Sequence, residues 1–265
     1  MTDSQRKERG RVPVLNLLVD LCDYDTVIDR ITRLARVYAG GYVCVANVHV
    51  AIEAEDDAAF SRLVNEADLV LPDGTPLVWM QRLQRNSGAS QVRGPSLMPM
   101  LMQHAEANGL KIGFLGGQQE VLDRIVARGQ DEFPALDIAY THSPPFRDLT
   151  AEENERISTA INEAGVQILF VGLGCPKQER WMAANTARVN AVMIGVGAAF
   201  DLYAGNLREA PKIVSKLGLE WMFRLVQEPR RLFSRYLLVN PRFVWLATRQ
   251  IISGRSRRAE SSDKG

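Results

Sequence analysis

The sequence predicts an α/β body, a mainly parallel sheet with helices on both faces, followed by a C-terminal helical appendage. Three observations carry this reading. Short apolar runs alternate with segments of helical spacing, which is the rhythm of β–α–β units. Gly, Pro and polar residues gather just past the apolar runs, where sheets of this kind bind ligands. Beyond Asn206 the composition turns basic and aromatic.

Val12 to Leu18 reads as the first strand, and Tyr24 to Tyr38 as a helix through Val27, Ile31, Leu34 and Val37. Tyr42 to Ala46 is a strand, and a helical segment with Phe60, Leu63 and Val64 leads to a strand at Leu69–Leu71. Helices near Leu77–Leu83 and Leu97–Ala107 precede a strand at Lys111–Leu115. A helix at Glu120–Glu132, a strand at Leu136–Tyr140, and a helix at Ala151–Glu163 follow. Then come strand 166–171, a helix at Gln178–Val189, and a strand at Ala191–Val196. The order is that of a Rossmann-like body over residues 1–205. Asn47, His49, Pro72-Asp73-Gly74, Gly116-Gly117, His142 to Phe146 and Gly195 to Asp201 all fall at its strand ends.

Composition narrows the class. With 46% hydrophobic and 24% charged residues the chain is that of an ordinary globular protein. Three scattered cysteines suit neither a disulfide framework nor a zinc cluster. The first eleven residues are polar, and no run of 18 apolar residues occurs, so the expectation is a cytoplasmic chain that spans no membrane. Charge is divided unevenly. From Asn206 onward there are 13 Lys and Arg against 5 Asp and Glu, and before it 19 against 26. A basic end on an acidic body calls for an anionic partner: lipid headgroups, a diphosphate or nucleic acid.

The most specific segment is Val171-Gly-Leu-Gly-Cys-Pro-Lys-Gln-Glu179. Val166 to Val171 is a buried strand, Gly172 and Gly174 allow a sharp turn, and Pro176 suits the first turn of a helix. Free N–H groups and the positive helix end there favour an anionic ligand. The spacing is not the dinucleotide fingerprint, because Lys177 stands where a third Gly is needed. Asp23-Tyr24-Asp25 looks like a metal-binding Asp-x-Asp, but its place before a helix reads better as an N-cap.

In residues 206–265, Pro211 opens a helix, and Gly218 starts a second that Arg230 and the following residues continue. If that helix survives Pro229, Arg224 and Arg231 share a face. Trp221, Phe223, Phe233, Tyr236, Phe243 and Trp245 alternate with arginines, a pattern suited to a membrane interface or to a helical pair packed on the body. Residues past Gly254 read as a disordered tail.

Taken together, the chain resembles the WecG/TagA/CpsF family of bacterial glycosyltransferases. The resemblance rests on an ordered set over residues 12 to 245. Its members are Ala67 to Gly74, Phe114 to Gly117, Val171 to Glu179, Ile194 to Gly197 with Phe200-Asp201, Ala204-Gly205, Arg208 to Pro211, and Gly218 to Leu225 with Glu228-Pro229. It implies an inverting, metal-independent transferase without a cofactor. Such an enzyme moves a sugar from a UDP-sugar to a polyprenyl-diphosphate-linked sugar at the inner face of the plasma membrane. Asp73 matches the family's general base. Asn47, His49, Arg93, Gly116, Gly117, Gly172, Gly174, Lys177, Gln178, Glu179 and Asp201 are then candidate substrate-binding residues, with Arg224, Arg231 and Arg235 candidates to neutralise the departing UDP. A Pro-Asp-Gly turn would account equally for Asp73.

The appendage would meet anionic lipid of the inner leaflet, with no nucleic acid as partner, and a homo-oligomer is left open. Two departures bear on the donor. Val45-Ala46-Asn47 stands where many members carry Thr-Pro-Asn, and Gln91 to Ser96 lacks the usual Arg and Asp, with Arg93 a substitute for the former. Two other readings remain at this stage, a nucleotide-dependent oxidoreductase and a noncatalytic membrane-docking protein. The incomplete glycine fingerprint argues against the first.

Overall fold

The computed structural model describes residues 10–37, 40–211, 214 and 219–262, with the side chains of 231, 234, 235 and 254–262 outside the description. The first apolar run is not one strand. It folds as an antiparallel hairpin of β1 (Arg11–Val14) and β2 (Leu17–Asp20), turning at Leu15, whose φ is 53°. The turn keeps Val12, Val14, Leu17 and Val19 all buried. The hairpin stands beside the main sheet, where the Asp20 carboxylate accepts the Val70 N–H at 2.8 Å.

The main sheet comprises β3 (Tyr42–Ala46), β4 (Leu69–Pro72), β5 (Ile112–Gly116), β6 (Ile138–His142), β7 (Ile168–Gly172) and β8 (Val192–Gly195). Its order is β4-β3-β8-β7-β5-β6 and every pairing is parallel. All six strands therefore end on one edge.

Side-chain alternation feeds two cores. Val43, Val45, Ile112, Phe114, Ile168 and Phe170 face one side, against α1 (Tyr24–Arg36), α5 (Gly94–Asn108) and α6 (Gln119–Glu132). Tyr42, Cys44, Ala46, Leu115, Leu169 and Val171 face the other. That side is covered by α2 (Val48–Asp56), α3 (Ala58–Glu66), α4 (Thr75–Leu83), α7 (Ala151–Glu163) and α8 (Lys177–Asn185). A short α9 (Ala199–Tyr203) places Phe200 against Phe114, edge to face at 5.7 Å. Helix α2 was not separately expected; Asn47 starts it, accepting the N–H groups of His49 and Val50. Asp23 caps α1 through Thr26 at 2.9 Å, as its position suggests.

The expected continuous helix through Pro229 is broken. Helix α10 (Glu220–Gln227) ends at Glu228, whose backbone leaves the helical region at φ −130° and ψ 57°. Helix α11 (Pro229–Ser262) then starts afresh with proline first, where a missing N–H costs nothing. Arg224 and Arg231 consequently lie on different helices. The backbone of α11 is helical to Ser262 rather than ending near Gly254, and the helix expected from Pro211 falls largely outside the described residues. Helix α11 lies on the α2 side: Phe243 and Ala247 join that core, and Arg242 forms a bidentate ion pair with Asp56. No described helix is long and apolar enough to cross a membrane.

Candidate active site

The carboxyl ends of the strands and helices α10 and α11 enclose a cleft of about 1620 Å³. Of the residues expected at the site, Asn47, His49, Asp73, Arg93, Gly117, Gly172, Gly174, Lys177, Gln178, Asp201 and Arg224 line it. Six strand ends and two C-terminal helices thus converge on one space.

Asp73 follows β4 directly. Its N–H donates to Ala46 O at 2.9 Å, its Oδ1 accepts the Gly94 N–H at 2.9 Å, and its carbonyl accepts from Nε2 of Gln91. The carboxylate therefore rests on the first turn of α5. Burial raises its pKa above the ordinary carboxylate value. The Gly94 hydrogen bond and Arg93 oppose that shift, Glu220 adds to it, and Arg224 opposes it. The balance leaves an acid poised to exchange a proton nearer neutrality than a surface aspartate would.

Two elements beyond the body's strand ends reach this carboxylate. Arg93 caps α5 and extends to the appendage, its Nε 3.2 Å from Glu220 Oε1 and its Nη1 4.0 Å from Glu209 Oε2. Arg224 stands one turn beyond Glu220 on α10, and its Nε is buried without a hydrogen-bond acceptor among the described residues. A buried guanidinium nitrogen left open in a cleft is suited to an anionic ligand. Glu220 and Gln91 were not assigned roles from sequence. Gln91 occupies the motif position whose usual arginine this chain lacks, and here it holds the Asp73 turn.

The β7 loop is built differently from the expectation of free donors. Cys175–Pro176 is a cis peptide bond, and Gln178 folds back beneath the loop. Its Oε1 accepts the Gly174 N–H at 3.2 Å, and its Nε2 donates to Glu179 Oε1 at 2.9 Å. Gln178 is 4% exposed yet lines the cleft, whereas Glu179 is fully buried behind it. Burial pushes the Glu179 pKa up, with Gln178 opposing. Gly116 also lies off the wall, at φ 110°, where a Cβ would come within 2.6 Å of the Gly172 backbone.

Three other lining residues also have partners within the chain. His49 pairs with Glu53 at 3.9 Å, Lys177 with Asp148 at 3.6 Å, and Asp201 accepts from Asn206 at 3.2 Å. The side chains of Arg231 and Arg235 lie outside the described residues.

Comparison with known proteins adds to this geometry. The N-acetylglucosaminyldiphosphoundecaprenol N-acetyl-beta-D-mannosaminyltransferase of Bacillus spizizenii is 28% identical over 206 residues, 77% of each chain. The protein of the same name from Staphylococcus aureus is 28% identical over 238 residues, 88% of this chain and 91% of that one. The profile of the glycosyl transferase WecG/TagA/CpsF family matches residues 12–257, nearly the whole sequence. The chain, with its acidic residue at the strand edge and its arginines facing it, belongs to the WecG/TagA/CpsF family of glycosyltransferases.

Proposed function

We propose that this glycosyltransferase moves a sugar from a UDP-sugar, of N-acetylmannosamine or glucose type, to a polyprenyl-diphosphate-linked acceptor with inversion. The product would serve cell-envelope or exopolysaccharide synthesis. The observation that carries the reading is Asp73, a carboxylate with a burial-raised pKa at the strand edge, facing Arg93 and Arg224. The names of the relatives support an N-acetylhexosamine donor and a lipid-diphosphate acceptor.

In this mechanism Asp73 takes the proton of the acceptor hydroxyl as that oxygen attacks the anomeric carbon. The bond to UDP breaks on the opposite face, and its electron pair leaves with the diphosphate. Arg224 meets that charge, helped by Arg231 and Arg235, in the role that a metal ion has in other transferases. Asn47, His49 and Asp201 face the sugars. Gln178 and Glu179 act by holding the β7 loop rather than by touching substrate.

Residues 206–265 form the unit that closes over the nucleotide and docks on anionic lipid at the inner face of the plasma membrane. Exposed Trp221, Met222, Phe233, Leu237, Leu238 and Trp245 on α10 and α11 support that docking, since such aromatic and aliphatic groups suit a bilayer interface.

The test is transfer from UDP-N-acetylmannosamine, UDP-glucose, UDP-glucuronate and UDP-N-acetylglucosamine to a short-chain prenyl-diphosphate-linked sugar, with and without EDTA. One donor used, no effect of EDTA, and loss of product in Asp73→Asn are expected. A noncatalytic binding protein would keep all its function in that variant. Removing residues 206–265 should abolish both lipid association and turnover; full activity of the truncated chain on a lipid acceptor would overturn the docking role.

A further inference from the structure

The cleft does not stop at the catalytic carboxylate. It runs outward between α4, which starts two residues after Asp73, and α11. On the α4 wall Pro76, Trp79 and Leu83 follow one another at spacings of three and four residues, one above the next on a single helix face. On the α11 wall Val244, Thr248 and Ile252 repeat every four residues. Helix α4 extends about 13 Å at 1.5 Å per residue, so this groove continues well beyond the reacting atoms.

Its chemistry is divided by element. The charged lining residues, Asp73, Arg93 and Arg224 among them, come from the loops and from α8, α9 and α10. Every lining residue contributed by α2, α4 and α11 is free of Asp, Glu, Lys and Arg. The far walls nevertheless stay open to solvent: Trp79 is 49% exposed, Leu83 56%, Val244 63% and Ile252 60%.

Both walls are tied to the hairpin. The carbonyl of Pro13 accepts from Gln84 Nε2 at 2.8 Å, just past α4, and from Gln250 Nε2 at 2.9 Å on α11. Gln250 Oε1 also accepts the Leu15 N–H at 2.9 Å. One backbone oxygen of the hairpin thus ties both walls, and Arg242 with Asp56 adds a second tie for α11. A groove whose walls are tied together, free of charge on α4 and α11 and bordered by charge at the strand edge, matches an amphiphile with an anionic head and a hydrocarbon chain.

We propose that the groove between α4 and α11 receives the first isoprene units of the acceptor's prenyl chain. This rests on the transferase reading above and deepens it: the acceptor would be recognised by its lipid as well as by its sugar. Acceptor sugar and diphosphate occupy the charged end, and the chain leaves along Trp79 and Leu83 towards the exposed apolar faces of α11.

The experiment uses the full chain and N-acetylglucosaminyl diphosphate esters of isopentenyl, geranyl and farnesyl alcohols. Binding is measured by calorimetry without donor or detergent, below the micelle-forming concentration. Affinity is expected to rise at least about ten-fold from the isopentenyl to the farnesyl ester, because each added isoprene buries further apolar surface. Two substitutions at exposed positions, Leu83→Asp and Thr248→Trp, should erase that gain and leave the isopentenyl ester's affinity unchanged.

Equal affinity for all three esters would overturn the proposal, and so would variants that weaken all three alike. So would a Leu83→Asp variant that only converts a dimer to a monomer, which would make the groove a self-association surface. Turnover is scored separately. Chain-length-dependent binding with no transfer from any donor would remove the transferase reading and leave the groove assignment standing. Transfer with no dependence on chain length would do the reverse.

Discussion

The backbone N–H of Gly94 donates to Oδ1 of Asp73 at 2.9 Å, so the carboxylate that closes β4 is seated on the first turn of α5. An asparagine keeps the accepting oxygen and loses only the charge. Asp73→Asn should therefore lower kcat by about 10²–10⁴, the usual worth of a general base, while the fold is retained. Because burial raises the folded pKa of Asp73, its contribution to stability is fully present at low pH and is lost as pH rises through that pKa. The variant should accordingly melt no lower than the parent at pH 7 and lack this loss. Activity assays paired with thermal melts across pH check both parts.

Activity should fall on the acid side as Asp73 becomes protonated, and the position of that limb reports the groups around it. Glu220 raises the Asp73 pKa. Glu220→Gln should move the acid limb of kcat/KM to lower pH, and a limb that stays in place would show that another group sets it.

Arg224 presents a buried nitrogen without an acceptor among the described residues, so its value lies with ligand rather than with the fold. Arg224→Ala is expected to cut kcat by about 10²–10³, in the range for losing one donor to a developing negative charge. Lysine should restore only part of this, since it lacks the planar fork. Single-turnover rates separate this loss from slower product release.

A Cβ at residue 172 would lie 2.5 Å from the Phe200 ring, closer than atoms can approach. Gly172→Ala should destabilise the chain by about 1–3 kcal/mol, the cost of overpacking, read by urea titration. Phe200→Leu in the same chain should recover part of it.

The six main-sheet strands were legible because a parallel sheet covered on both faces reads as continuous apolar runs, Tyr42–Ala46 and Leu69–Pro72 among them. The hairpin was not, because Leu15 turns left-handed without a Gly or Asn-Gly signal, and only Asn16 interrupts the apolar stretch. Helix α2 buries the neighbouring residues Val50, Ala51 and Ile52, which hides its period, although Asn47 at its cap gave the start. Asp73, Arg93 and Arg224, singled out by their place in motifs, all line the one cleft. Polarity marked Gln178 and Glu179, but a nine-residue helix does not reveal from sequence that both side chains pack under the β7 loop, with only Gln178 reaching the cleft. Glu220 went unassigned because its role depends on Arg93, more than a hundred residues away in the chain.

The non-helical residue Glu228 divides the C-terminal segment into two levers. Helix α11 is clamped to the body through Arg242 and Gln250, whereas α10 meets it through Glu220 and Arg93 at the catalytic carboxylate. A tilt of α10 can therefore bring Arg224 towards a ligand or withdraw it without unseating α11. On the proposed roles, mooring and charge neutralisation are separately tunable, and lesions in Arg242 and Arg224 should combine additively in free energy.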